Sequence, residues 1–114
     1  MRKKGYKGVR CEKKMIPKCQ DVCRTYGELQ SRYADMLAEN PSVEEIRCNV
    51  LMEGLDIGEY TSDFVCTDTD GKVFVRECVY RKQLQRRSTL EKLDASQKYW
   101  RLRGINDWKL VIDA

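Results

Sequence analysis

The stretch Tyr60-Thr61-Ser62-Asp63-Phe64-Val65-Cys66-Thr67-Asp68-Thr69-Asp70-Gly71-Lys72-Val73-Phe74-Val75-Arg76-Glu77-Cys78-Val79 decides how this chain folds. Its two arms are rich in β-branched and aromatic residues, and they flank a cluster of turn formers in which Gly71 can take positive φ. The pattern predicts a β-hairpin with strands over about residues 59–67 and 72–81. A three-residue loop of Thr69, Asp70 and Gly71 sets Asp68 against Lys72. Counting back along both arms then places Asp63 opposite Glu77, on one sheet face. Directly opposed residues have Cβ atoms about 4.5–5.5 Å apart, and like charges there are destabilising unless a positive group intervenes. Two such carboxylates suit Mg²⁺, a hard ion that prefers oxygen ligands. The competing reading is a surface network in which Arg76 or Arg81 neutralises the acids. By the same parity Phe64, Cys66, Cys78 and Tyr80 fall on the opposite face, as core packing.

Working outward, Thr25 and Glu28 have the spacing of a capping box, and Leu29, Tyr33, Met36 and Leu37 recur at helical intervals to about Glu39. Asn40 and Pro41 stop that helix. From Val43 to Met52 the apolar residues Ile46, Cys48, Val50 and Met52 alternate, which predicts a half-buried strand. Beyond the hairpin, Ser88 and Glu91 form a second capping-box pattern, opening a helix that carries Leu90, Leu93, Trp100 and Leu102 and closes at Gly104. Trp108 to Ile112 is a short apolar strand. The order α-β-β-β-α-β predicts one α/β domain over residues 23–114. Its last strand returns parallel to the third, giving a mixed β-sheet flanked by helices. Residues 1–22 show no sustained period and are expected to form a basic arm or irregular lead-in.

The 114 residues carry a formal charge of +4, with 41% hydrophobic and 35% charged residues, which fits a globular domain with an ionic surface. Charge is concentrated at the start, where Arg2, Lys3, Lys4, Lys7, Arg10, Lys13, Lys14 and Lys18 face Glu12 alone. Such an arm suits the phosphates of a nucleic acid, or is simply a solvated tail. Arg81, Lys82, Arg86 and Arg87 form a second basic cluster, suited to phosphate contact more than to base readout. The chain has no histidine, which excludes serine or cysteine catalysis with a histidine base and Cys2His2 zinc sites. Carboxylate chemistry remains. No apolar segment follows the basic start and no run approaches the roughly 20 apolar residues of a membrane span, so a cytoplasmic protein with reduced thiols is expected. Among the six cysteines, Cys11, Cys19, Cys23 and Cys48 are an alternative zinc set. Gaps of seven and three residues between the first three do not match the usual short pairs.

These residues together resemble the PD-(D/E)xK, or restriction-endonuclease-like, nuclease superfamily, and within it the N-terminal catalytic domain of TnsA-type transposase endonucleases. Tyr60-Thr61-Ser62-Asp63-Phe64-Val65 is similar to the family's tyrosine-x-proline-aspartate-phenylalanine strand, with Ser62 in place of proline. Val75-Arg76-Glu77-Cys78-Val79 stands where the glutamate-x-lysine strand belongs. Pro41-Ser42-Val43 with Ile46-Arg47 resembles the preceding helix exit and strand. Thr89-Leu90-Glu91-Lys92-Leu93, Tyr99-Trp100, Gly104-Ile105 and Trp108-Lys109-Leu110-Val111 resemble the family's second helix and last strand.

The resemblance spans about residues 26–113 and implies a Mg²⁺- or Mn²⁺-dependent DNA endonuclease. Asp63 and Glu77 would hold the metal, the Cys78 carbonyl would add a ligand, and a carboxylate of the first helix would complete the site. Glu28 is the match for that carboxylate, although alignment without gaps from Pro41 puts Gln30 there. Val79 occupies the family's lysine position and can neither orient a water nor stabilise charge on phosphate. Arg81 is the expected replacement, with Lys82, Lys92 or Lys98 as others. Lys82, Arg86, Arg87, Lys3 and Lys4 would contact DNA. The partners implied are DNA, a transposase subunit or an ATPase, and a second copy in a homodimer, in a transposon, phage or other mobile element. The other outcome is a catalytically silent DNA-binding module that keeps the fold.

Overall fold

The structure, a computed structural model, describes residues 2–3 and 11–113. It contains β1 (Arg2–Lys3), β2 (Cys11–Lys14), β3 (Cys23–Tyr26), α1 (Glu28–Glu39), β4 (Val43–Met52), β5 (Tyr60–Asp68), β6 (Val73–Val79), a 3-10 turn (Arg81–Gln85), α2 (Arg87–Arg101) and β7 (Trp108–Ile112). The α-β-β-β-α-β order is present, preceded by three short strands. The hairpin register is the one its turn demands. Phe64 pairs with Arg76, Val65 with Val75, Cys66 with Phe74 and Thr67 with Val73. At the tip, Asp68 Oδ1 accepts the backbone N–H groups of Asp70 and Lys72, each at 2.9 Å, while Gly71 takes φ 81°.

β5 is the centre of a mixed sheet. β4 runs antiparallel along one edge of it, from Val43 opposite Asp68 to Met52 opposite Tyr60. β6 takes the other edge as far as Phe64, and beyond that point β1 pairs with Thr61 and Tyr60. β7 lies parallel to β6, with Glu77 beside Leu110, as the strand-helix-strand order predicted.

Each side of the sheet has its own core. Ala34 and Leu37 of α1 pack with Val43, Ile46, Phe64 and Cys66, while Trp100 of α2 packs with Met52, Val65 and Val75. Cys78 joins the α1 side, as parity predicted.

Several expectations are corrected. The lead-in over residues 1–22 is not irregular throughout, because β2 and β3 form an antiparallel ribbon with Cys11 opposite Tyr26. Thr25 does not cap α1. It lies in β3 with its hydroxyl 2.6 Å from that of Ser31, and the N-cap is Gly27 at φ 103°, a backbone region costly for any other residue. Ser88 likewise falls inside α2, whose N-cap is Arg86 with no side-chain cap bond. The buried stripe of α2 is Leu93, Ser96 and Trp100, whereas Leu90 and Leu102 are exposed. Finally, the alternation in β4 is broken. Ile46 and Cys48 belong to the α1 side but Val50 and Met52 to the α2 side, and the change occurs across Asn49, which sits at φ 52°.

Candidate metal centre

Antiparallel ladders alternate hydrogen-bonded and non-bonded pairs, so a ladder bonded at Asp68 and Lys72 would next bond at 66/74, 64/76 and 62/78. The pairing stops at Phe64 and Arg76. One step further on, side chains replace the backbone bonds. Cys78 N–H donates to Asp63 Oδ2 at 2.7 Å, and Asp63 N–H donates to Glu77 Oε1 at 2.8 Å. Each carboxylate therefore binds the other strand where the two backbones part. Both are buried, at 1% and 0% exposure. In an extended strand the N–H and C=O of one residue leave on the same side. The Cys78 carbonyl is thus aimed at β5, into the same opening.

The second oxygen of Glu77 is held from α2, by the Ser96 hydroxyl donating to Oε2 at 2.5 Å. Ser96 Oγ in turn accepts Trp108 Nε1–H at 3.0 Å, and Trp100 Nε1–H donates to Ser62 Oγ at 2.8 Å. Ser62 also belongs to the α2 side although Phe64, two residues on, packs against Tyr33 of α1. β5 changes sides next to Asp63, as β4 does at Asn49 across from it. Burial, and then the neighbouring Asp63 charge, push the Glu77 carboxyl up to about 7 against the pull of the Ser96 hydroxyl. Ser96 was not anticipated from the sequence. Its signal was positional, because it lies between Leu93 and Trp100 on the helical stripe.

Asp63, Glu77 and the Cys78 backbone come together as expected. Arg81 does not join them, because the strand ends at Val79 and Arg81 starts the 3-10 turn. Its backbone N–H and its guanidinium both bond Asp113. Arg76 bonds Asp107 at 2.9 Å and stacks on Phe74, so it too is engaged elsewhere. Glu28 pairs with Arg32 at the surface, with 72% of its side chain exposed, in a cleft with Leu29, Tyr80 and Asp113 that includes neither carboxylate.

Gln30 differs from Glu28. It is 2% exposed and its amide lies 3.5 Å from Asn49 Oδ1, the residue between the Cys48/Phe64 and Val50/Ser62 pairs and thus across from Asp63. Val79 is buried. Of the expected lysines, Lys92 is one helical turn before Ser96, with its ammonium 4.8 Å from the Tyr60 ring centre. Lys98 pairs with Asp94, and Lys82 is exposed. Arg86 and Arg87 are exposed as well, the latter paired with Glu91. Lys3 contributes backbone pairing in β1, and Lys4 lies outside the described residues.

A mixed sheet with helices on both sides and a buried carboxylate pair at a parting of two strands defines a restriction-endonuclease-like α/β domain. Residues 38–113 match the family described as TnsA-like endonuclease N terminal, and the chain belongs to that family. No curated protein matches it. Among the described residues, no helix is long and apolar enough to cross a membrane.

Proposed function

We propose that the protein is a divalent-metal-dependent DNA endonuclease in which Asp63, Glu77 and the Cys78 carbonyl oxygen hold Mg²⁺ or Mn²⁺. The observation that carries this reading is the reciprocal bonding of two buried carboxylates where β5 and β6 separate, in a chain of an endonuclease family. An all-oxygen donor set rich in charge suits hard ions. The basic side chains that would have made the pair a surface network, Arg76 and Arg81, face Asp107 and Asp113 instead. A divalent ion bound there supplies an activated water and offsets charge on the scissile phosphate.

The remaining tasks fall to the chain. Ser96 fixes the Glu77 carboxyl, and Gln30 holds Asn49, the residue of β4 across from Asp63. Lys92 brings the positive charge that Val79 lacks. Lys82, Arg86 and Arg87 present an exposed basic surface to DNA phosphates, joined by the basic residues of 1–22. We place the protein, as a monomer or homodimer, beside a transposase and its ATPase in a mobile element or phage. Buried Val79 favours a second reading, a module that binds DNA without cutting it.

The test is incubation with supercoiled plasmid and single-stranded DNA in Mg²⁺ or Mn²⁺. We expect metal-dependent cutting that falls to background in Asp63→Ala while DNA binding persists. A wild type that binds DNA without metal and never cuts overturns the endonuclease and leaves the binding module.

A further inference from the structure

Three thiols on the α1 side form a group unrelated to the carboxylates. Cys19 lies between β2 and β3, Cys23 opens β3, and Cys48 is in β4. Their sulfurs are all within 4.8 Å of one another, with Cys23 buried and the other two half-buried. Cys11, at the far end of the ribbon, is exposed and outside the group. The expectation drawn from spacing is thereby corrected: with Cys11 outside the group, the remaining Cys19–Cys23 gap of three residues falls within the range of zinc-ligand pairs. Of the four cysteines grouped from the sequence, the structure keeps Cys48 of β4 with Cys19 and Cys23 and leaves out Cys11. With Zn–S bonds of about 2.3 Å, a tetrahedral ion holds sulfurs about 3.8 Å apart, so one ion fits among these three with shifts of about an ångström.

We propose that Cys19, Cys23 and Cys48 bind one structural Zn²⁺, with its fourth position filled from the adjoining cavity. That cavity, of about 240 Å³, has Cys19, Gln20, Asp21, Arg47 and Cys48 in its walls, so a water or a carboxylate has access. Thiolates select a soft ion over Mg²⁺. Three thiolates and Zn²⁺ leave one net negative charge, and Arg47 lines the same cavity. A Cys23–Cys48 disulfide is the competing arrangement. The sulfurs are 2.7 Å apart, between the S–S bond of about 2.05 Å and the separation of about 3.8 Å for two zinc ligands, and what favours zinc is the third thiol, since a disulfide gives Cys19 no role.

The ion would join the ribbon to the main sheet next to two existing links, Ile46 N–H to Lys18 C=O at 3.0 Å and Asn49 Nδ2 to Arg24 C=O at 2.7 Å. Cys48 pairs with Phe64, the neighbour of Asp63, so the zinc would support the strand that carries the carboxylate. Binding energy at such a site is folding energy.

The full chain, purified without chelator from zinc-supplied cells, should carry one zinc by mass spectrometry of the elements. Asp63→Ala should keep it and Cys19→Ser should lose it. If the cysteine variants do not fold, the wild type suffices. Stripped of zinc and given Co²⁺, it should show thiolate charge-transfer absorption and the strong visible bands of tetrahedral cobalt, both displaced by Zn²⁺. A zinc-free wild type whose Tm ignores added zinc overturns the proposal, whether all thiols react or two have formed a disulfide. A weak octahedral cobalt spectrum overturns it as well.

Discussion

The two sides of the central sheet are built on opposite principles. Against α1 the interior is mostly apolar, with Ile46, Phe64, Val43 and Leu37 closing on one another, and its buried polar side chains, Thr25 and Gln30, are uncharged. Against α2 the same strands bury Ser62, Asp63, Glu77 and Ser96 beside Met52, Val65 and Trp100. Apolar burial stabilises in proportion to area, whereas a buried carboxylate costs several kcal/mol unless it is paired and bonded. The comparison teaches that the α1 side holds the fold and the α2 side draws on that stability to keep two acids out of water.

The comparison can be broken most easily at Phe64. Phe64→Ala should cost about 3–5 kcal/mol in denaturant unfolding and leave metal affinity at Asp63 and Glu77 unchanged while the variant is folded. Loss of metal binding in a folded variant would mean that the sides are not independent. The next effect is on pH. Glu77 has its carboxyl raised to about 7 in the folded chain against 4.5 for an unperturbed glutamate. Its contribution is therefore fully present below about pH 4.5 and lost as pH rises through about 7, a change of about 3 kcal/mol. Unfolding midpoints without added Mg²⁺ or Mn²⁺ should fall over that window in the wild type relative to Glu77→Gln. Equal profiles would remove the buried charge from the account.

Ser96→Ala sharpens the comparison further. It removes the hydroxyl that orients Glu77 and leaves Trp108 Nε1–H without its acceptor. Metal affinity by Mn²⁺ calorimetry should drop about 10–100-fold, as for other outer-shell partners. The smallest effect belongs to Glu28→Ala, which breaks an exposed pair with Arg32 worth about 0.3–0.5 kcal/mol. Cleavage should be unchanged there and reduced in Gln30→Ala. The reverse result would return the helix ligand to Glu28.

The hairpin was legible because its turn residues and alternation fix one register, and that register alone opposes Asp63 to Glu77. The parallel return of β7 followed from the order of elements. The capping boxes misled because the same spacing of Thr or Ser and Glu arises where the first residue is still in a strand, as Thr25 is, or already in a helix, as Ser88 is. Arg81 misled because parity was carried past the end of β6. The change of sides at Asn49 left no trace in composition, since one backbone torsion accomplishes it. The thiol group was named from the sequence but set aside on spacing, because the gap from Cys11 obscured the three that tertiary folding brings together.

That torsion has a consequence for which sequences this fold accepts. Strand positions ordinarily reward β-branched residues and penalise glycine and aspartate. At φ 52° the order inverts, since glycine, asparagine and aspartate enter the left-handed region most readily and valine or isoleucine least. A saturation scan along β4 would therefore show a single position of reversed tolerance inside an ordinary strand. Variation among related chains would be narrow there, for a backbone reason distinct from any contact the Asn49 amide makes.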